Sequence, residues 1–491
     1  MITQKLAEAR TYEKQEGSTI PDEQRPMFHL TPLAGWMNDP NGFSFHNGMY
    51  HLFYQYYPYD IKWGPMHWGH AVSTDLLRWT HLPAALAPDT ENDKDGCFSG
   101  SAVDLDDGRQ LLMYTGVIRT EDPRFSRQVQ CIAVEQNGEY VKYEGNPVLD
   151  ETDLPEGCSP YDFRDPKLFR KPDGMFGCLT VGRKADGNGM LLYYSSPDGF
   201  NWSFNRILTD NDGTFGRMWE CPDYFELDGK YVFLVSPMDM VQNDTFFCGN
   251  STVCMIGSRA EDGNFIRETA YPIDCGLDFY ATQTLPAPDG RRLMVAWMAN
   301  WDSITDTGEH MKWTGSITLP RELHVKDGKL LQEPIRELET LRGTKMEYRK
   351  EFIGEARSFA GIEGRTLDLS VQIHPCNGTY NRFEIRLAED GDTYTSLIYR
   401  PGEGTLTFDR TRSGSRRSAA HIRTVSVNET DEGLQLRIIL DRWSCEVFIN
   451  DGSQVMTHRI MTDQSASGIS FRSDGNAMVD LVSYELNTAN L

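Results

Sequence analysis

The sequence predicts an all-β protein: a five-bladed β-propeller over residues 25–325, followed by a C-terminal β-sandwich over residues 351–491. Two observations carry this. A turn-forming Asn-Gly or Asp-Gly pair followed by an apolar run recurs five times, at intervals near 60 residues. Beyond the last of these, short strands of alternating polarity return, and long helical periods are scarce throughout.

Residues 1–24 read as an N-terminal extension. Met1-Ile2-Thr3-Gln4-Lys5 opens a polar stretch without the apolar centre of a secretory leader, and no apolar run reaches the roughly 18 residues a membrane span needs. A cytoplasmic protein is the expectation. The repeats begin next, with Asn47-Gly48, Asp107-Gly108, Asp173-Gly174, Asp228-Gly229 and Asp289-Gly290, spaced by 60, 66, 55 and 61 residues. Such pairs accept the positive φ of a tight hairpin, and a unit of this length suits a four-stranded antiparallel blade. Two packed sheets with similar turns are the alternative. A second echo, Ser73-Thr74-Asp75-Leu76-Leu77-Arg78-Trp79 and Ser196-Pro197-Asp198-Gly199-Phe200-Asn201-Trp202, predicts matching turns between later strands of two blades. Residues 326–350 are charged and helix-tolerant and read as a connector. From 351 onwards, segments such as Leu434–Leu440 and Cys445–Ile449, the latter ending at Asn450-Asp451-Gly452, give the sandwich its alternation.

Composition narrows the function. Lys and Arg number 48 against 72 Asp and Glu, a net charge of -24, which repels nucleic acid and anionic membranes. The ten cysteines are scattered without a C-x-x-C pair, so reduced, buried thiols are expected rather than a zinc or redox centre. No G-x-S-x-G elbow or phosphate-binding glycine loop is present.

Counting eight residues back from each hairpin turn gives Asp39, Ser99, Asp165, Glu220 and Ala281. Three carboxylates thus hold one position in three repeats, and if equivalent strands line a common axis they converge. The same count places Tyr56 opposite Asp39 with Gln55 alongside, either as a sugar-binding amide or as an ordinary strand residue. Clustered carboxylates suit glycoside hydrolysis, which needs a nucleophile or base and a protonated acid. They also suit a calcium site, or only local turn hydrogen bonds. Arg164 beside Asp165 is a donor that would keep that carboxylate ionised, while Trp219 and Cys221 flank Glu220 with apolar surface that favours its acid form. Asp39 as nucleophile, Glu220 as acid and Asp165 as a substrate-holding anion is the resulting division of roles.

Seven motifs in order carry a resemblance: Gly35–Gly42 (GWMNDPNG), Trp63–His70 (WGPMHWGH), Phe98–Ser101 (FSGS), Phe163–Lys167 (FRDPK), Trp219–Pro222 (WECP), Asp278–Thr284 (DFYATQT) and Pro320–Leu323 (PREL), with a weaker match over Asp441–Gly452. Together they resemble glycoside hydrolase family 32, the β-fructofuranosidases. The resemblance implies a propeller with a sandwich and a retaining double displacement by Asp39, Glu220 and Asp165. It implies a fructose subsite lined by Asn38, Gln55, Trp63, Phe98, Ser99, Arg164 and Asp278, with Trp297 a further member, and no metal or organic cofactor. Sucrose, sucrose 6-phosphate or short fructo-oligosaccharides are the implied substrates, and a small-molecule sugar the implied partner, with a homodimer compatible. An exo-acting levanase or inulinase, an inverting arabinan-type hydrolase and a non-catalytic carbohydrate-binding propeller stay open as alternatives. The C-terminal domain is read either as a sugar-binding module or as a packing surface.

Overall fold

The structure, a computed structural model, describes residues 2–122, 125–304, 311–375, 378–414 and 420–487 of the 491. It is all-β apart from one α-helix and short 3-10 turns among the described residues. Five antiparallel sheets of four strands follow one another along residues 35–334, each built from consecutive strands in the order in which the chain makes them, except that residues Trp313–Thr314 leave the fifth sheet to join the first. The first strands of these sheets are β1 (Gly35–His46), β2 (Gly96–Asp104), β3 (Cys158–Arg170), β4 (Trp219–Leu227) and β5 (Tyr280–Pro286). Each packs against the next, and β5 packs back on β1. The segment Trp313–Thr314 pairs in parallel with β1, Gly35 opposite Trp313 and Trp36 opposite Thr314.

The Asx-Gly turns connect the first two strands of all five sheets. Asn47 and Gly48 both take positive φ, as do Asp228 and Gly229. At the other three only the glycine does, and the preceding Asp accepts the backbone N–H two residues on, as Asp107 does from Arg109. The S-x-D-x-x-x-W echo is one turn built twice. Asp75 Oδ1 accepts from Leu77 and Arg78 N–H, and Trp79 Nε1 donates to Leu76 O; Asp198, Phe200, Asn201, Trp202 and Gly199 repeat those contacts.

Two regions differ from the sequence reading. Residues 1–24 contain a helix, α1 (Gln4–Gly17), capped by Thr3, whose side chain accepts from Leu6 N–H, and docked on the strand Thr80–Leu86 of the first sheet. Its polarity hid it, because only Leu6, Ala9 and Glu13 are buried, and the buried Glu13 caps the edge by accepting from Ala84 N–H at 2.9 Å. The stretch 326–350 is mostly strand: Lys329–Pro334 completes the fifth sheet, and Arg342–Ile353 already belongs to the C-terminal sheets. Its charged residues alternate along edge strands, so composition alone did not distinguish it from irregular chain.

The remaining chain forms a six-stranded and a five-stranded antiparallel sheet that share one core, with Leu369, Val371 and Ile438 from one sheet meeting Ile385, Leu397 and Phe471 from the other. A second apolar cluster joins this part to the first, where Ile439, Phe448 and Val455 pack with Leu30, Ile317 and Leu319. Buried ions cross the same boundary. Arg321 binds Asp274 at 3.0 Å and Glu446 at 2.7 Å, and His29 bridges Asp441 and Glu446 at 2.8 and 3.0 Å. Burial alone would lower the pKa of His29, but the two carboxylates outweigh it and lift it to about 9. Nine cysteines are free thiols, and Cys376 lies outside the described residues.

Candidate active site

All five first strands carry a β-bulge at the same level. The register with the neighbouring strand slips between Met37 and Pro40 in β1, Phe98 and Gly100 in β2, Arg164 and Lys167 in β3, Glu220 and Asp223 in β4, and Tyr280 and Gln283 in β5. A bulge adds twist and re-aims the side chains it contains. Asp165, Cys221 and Ala281 take positive φ within them, at 60°, 49° and 56°. In β2, a Cβ on Gly100 would lie 1.9 Å from Met113 O, so only glycine lets the backbone pass beside Ser99. The bulge in β1 also corrects the hairpin count: Tyr56 pairs with Met37 and Tyr54 with Pro40, so Asn38 and Asp39 together face Gln55.

The bulged residues meet. Asp39 Oδ2 accepts from Ser99 Oγ at 2.7 Å and from Cys221 Sγ at 3.5 Å, and its Oδ1 accepts from Asn38 Nδ2 at 3.1 Å. Asn38 is held in turn by Trp36 Nε1, at 2.7 Å. Cys221 also donates its backbone N–H to Asp165 Oδ2 at 2.9 Å, so one residue bridges two carboxylates. Glu220 accepts from Arg164 at 3.1 Å and from Tyr280 Oη at 2.8 Å. Arg164 is oriented by Asp162 at 2.6 Å. The side chains of β1 to β5 thus form one connected set.

Burial raises the pKa of Asp39, and the charge of Glu220 adds to this, while the donors Ser99, Asn38 and Cys221 oppose it. Burial likewise pushes Asp165 up to about 7, against the pull of Arg164 and with help from Glu220. The sequence expectation that Arg164 keeps Asp165 ionised therefore meets a competing effect. The guanidinium turns toward Asp162 and Glu220 and stands 3.9 Å from Asp165. The surroundings of Glu220 also differ from those its sequence neighbours suggest. Trp219 points into the core, donating to Phe215 O, and Cys221 faces Asp39, leaving Arg164 and Tyr280 beside the carboxylate.

Of the other expected site residues, Gln55 is buried and donates to Cys97 O at 2.9 Å. Trp63 is 41% exposed and meets Phe98 edge-on at 6.0 Å, placing two aromatic faces at the rim. Trp297 is wholly buried behind Trp36, at 6.1 Å, so it backs the site instead of lining it. Asp278 is not brought to the cluster. It is fully buried, accepting from Ser303 Oγ at 2.7 Å, Arg410 Nη1 at 2.5 Å and Arg459 N–H at 2.8 Å. Burial would raise its pKa, but the two arginines hold it far below the usual carboxylate range. Tyr280 and Trp301, which stacks on Trp36 at 6.0 Å, were missed by sequence reasoning, although Tyr280 stands one residue before the eight-residue position; Cys221 was read only as apolar surface beside Glu220, not as a donor to Asp39 and Asp165. Among the described residues no group of His, Cys, Asp and Glu is arranged to hold a metal ion.

Residues 29–334 match the glycosyl hydrolases family 32 N-terminal domain, and residues 337–488 the family 32 C-terminal domain. The chain belongs to glycoside hydrolase family 32. A sucrose-6-phosphate hydrolase of Zymomonas mobilis is 35% identical over 99% of this chain and 97% of its own length. Among solved family 32 structures, a β-fructofuranosidase of Bombyx mori superimposes with a TM-score of 0.83 at 33% identity, covering 98% of both chains. A sucrose-6-phosphate hydrolase of Lactobacillus gasseri gives 0.85 at 29% identity, covering 99% of this chain and 97% of that one.

Proposed function

We propose that the chain is a retaining β-fructofuranosidase that releases terminal fructosyl units from sucrose, sucrose 6-phosphate or short fructo-oligosaccharides. That it is a glycoside hydrolase of this type follows from its family and its relatives. The single observation behind the residue roles is the linked set at the five bulges, where three carboxylates from three strands sit in unlike environments. Asp39, held by Ser99 and Asn38, attacks the anomeric carbon of the fructosyl group. Glu220 gives its proton to the glycosidic oxygen as that bond breaks. The Glu220 carboxylate so formed accepts from Arg164 and Tyr280, and it takes the proton of the water that then releases fructose from Asp39. Asp165 and Arg164 bind fructose hydroxyls, and Trp63 and Phe98 offer their ring faces at the mouth.

The ring of contacts among β1 to β5 supports reading the five sheets as blades of a propeller, and the shared core of the last two sheets supports a sandwich. The proposed domains run from about residue 25 to Pro334 and from Arg342 onward, with α1 an extension of the first. The test of function is the initial rate on sucrose and on sucrose 6-phosphate for the intact protein and for Asp39→Ala. Both substrates should lose several orders of magnitude. Near-full activity of a folded Asp39→Ala protein, or inversion at the released fructose, removes the mechanism.

A further inference from the structure

A second concave site lies at the other end of the same strands. A cavity of about 700 Å³ is lined by residues beyond the bulges, reaching Arg170 on β3 and Glu226 on β4. These stand five and six residues past Asp165 and Glu220, roughly 16–20 Å away at about 3.3 Å per residue. The floor of the cavity begins nearer, at Lys167 and Asp223, but none of Asp39, Asp165 and Glu220 lines it, and its volume falls in the usual range for small-ligand sites.

Its charge runs against that of the molecule. Six Lys and Arg line it against three Asp and Glu, whereas the whole chain has 48 against 72. Deep in the cavity, Asp223 is matched by Lys167 at 2.8 Å and Arg292 at 3.5 Å. At the rim two cations lack such partners. Arg206 and Arg259 make no ion pair among the described residues, and Arg206 donates only to a main-chain oxygen, that of Asp262. A Cβ on Gly263 would strike Arg206 Nη1 and come within 3.2 Å of Arg259 Nη2, so both guanidinium groups close on one point. Two like charges this close repel, and a dianion between them relieves the repulsion while accepting paired N–H donors.

The walls beside this pair are aromatic. Phe169 stacks with Tyr193 at 6.2 Å, and Tyr224 with Tyr231 at 5.5 Å. Tyr224 Oη is buried without a hydrogen-bond partner, which is a cost unless a ligand supplies one. Glu226 shares that wall, is exposed, and makes no ion pair among the described residues. A carboxylate there accepts sugar hydroxyls and disfavours ligands with several phosphates.

We infer that this cavity is a binding site for a singly phosphorylated monosaccharide, its phosphate on Arg206 and Arg259 and its ring against Tyr224 and Tyr231. The inference concerns binding alone and stands whichever residues perform the hydrolysis.

The test is calorimetric titration of the full chain with glucose 6-phosphate, glucose and inorganic phosphate, repeated on Arg259→Glu and Tyr224→Phe. Glucose 6-phosphate should bind more tightly than either fragment. Arg259→Glu should weaken it by about tenfold or more, the loss of one charge-assisted contact, with sucrose turnover unchanged. Tyr224→Phe should weaken it by a smaller factor. Unchanged binding in Arg259→Glu would place the ligand elsewhere and overturn the inference. Equal affinity for glucose 6-phosphate and inorganic phosphate would overturn the pairing of ring and charge, and absence of binding would overturn all of it.

Discussion

Replacing Ser99 by Ala removes the shortest hydrogen bond to Asp39, 2.7 Å from hydroxyl to carboxylate, and leaves the fold of β2 untouched. A hydrogen bond to an ionised group contributes about 1.5–3 kcal/mol, and about 1.4 kcal/mol corresponds to one pKa unit. The sign follows from the state that is stabilised. The hydroxyl donates to the ionised carboxylate, so its loss favours protonation and raises a pKa that burial and Glu220 already hold high. A nucleophile must be ionised, so activity below the new pKa is lost and the acidic limb of kcat/KM moves upward by about 1–2 pH units. The assay is the initial rate of sucrose hydrolysis from pH 4 to 9 at subsaturating substrate, with circular dichroism to verify the fold. Cys221→Ala is the internal comparison. Its thiol is a weaker donor at 3.5 Å, so the limb should move less. An acidic limb that stays in place in a folded Ser99→Ala protein would refute the reasoning, because the other donor to Oδ2, the Cys221 thiol, stands farther off at 3.5 Å.

Further expectations concern both ends of the chemistry and the boundary between the two halves. Glu220→Ala should cost several orders of magnitude on sucrose but much less on a fructoside with an acidic leaving group; equal losses on the two count against the acid role. Arg459→Met should lower stability by about 2 kcal/mol, since it removes the guanidinium 3.4 Å from the buried Asp278 while Arg410 and the Arg459 main-chain N–H stay in place, as read by urea unfolding. It should also lower kcat, because Arg459 holds Ser303 O at 2.7 Å in the loop that carries Trp301 against Trp36, and an unchanged kcat would sever that link. His29 has a folded pKa of about 9 against an unfolded value near 6.5. Its contribution, on the order of 3 kcal/mol, is therefore full below pH 6.5 and lost as pH rises through 9, and His29→Gln should flatten that part of the stability profile. Truncation after Ile335 should give insoluble protein, with Arg321 and Asp278 left buried without their partners from beyond it.

What was legible in the sequence is what short-range chemistry dictates. Asn47-Gly48 and its four counterparts form turns because of their own backbone preferences, so their spacing reported the sheets, and the eight-residue offset found Asp39, Asp165 and Glu220. The bulges were not legible. They insert a residue without a compositional mark, and so the count paired Tyr56 with Asp39 when its partner is Met37. Asp278 was placed in the sugar site by its motif, yet its partners Arg410 and Arg459 lie more than 130 residues away, and nothing local signals an ion pair closed at that distance. The helix α1 was hidden for the opposite reason, since it buries a carboxylate and only two apolar residues.

The short parallel pairing of β1 with Trp313–Thr314 carries a consequence for how the chain is made. Residue 313 leaves the ribosome 278 residues after residue 35 (313 − 35 = 278), on the order of tens of seconds later at about 5–20 residues per second. Throughout that interval Gly35 and Trp36, at the start of the strand that carries Asp39, lack their parallel partner on a nascent chain. A free edge of this kind recruits other strands, so translation speed and chaperone supply bear on the yield of active protein. Slowing synthesis between residues 46 and 313 should favour aggregation, whereas a circular permutant that begins near residue 311 would deliver both partners of the pairing at the start.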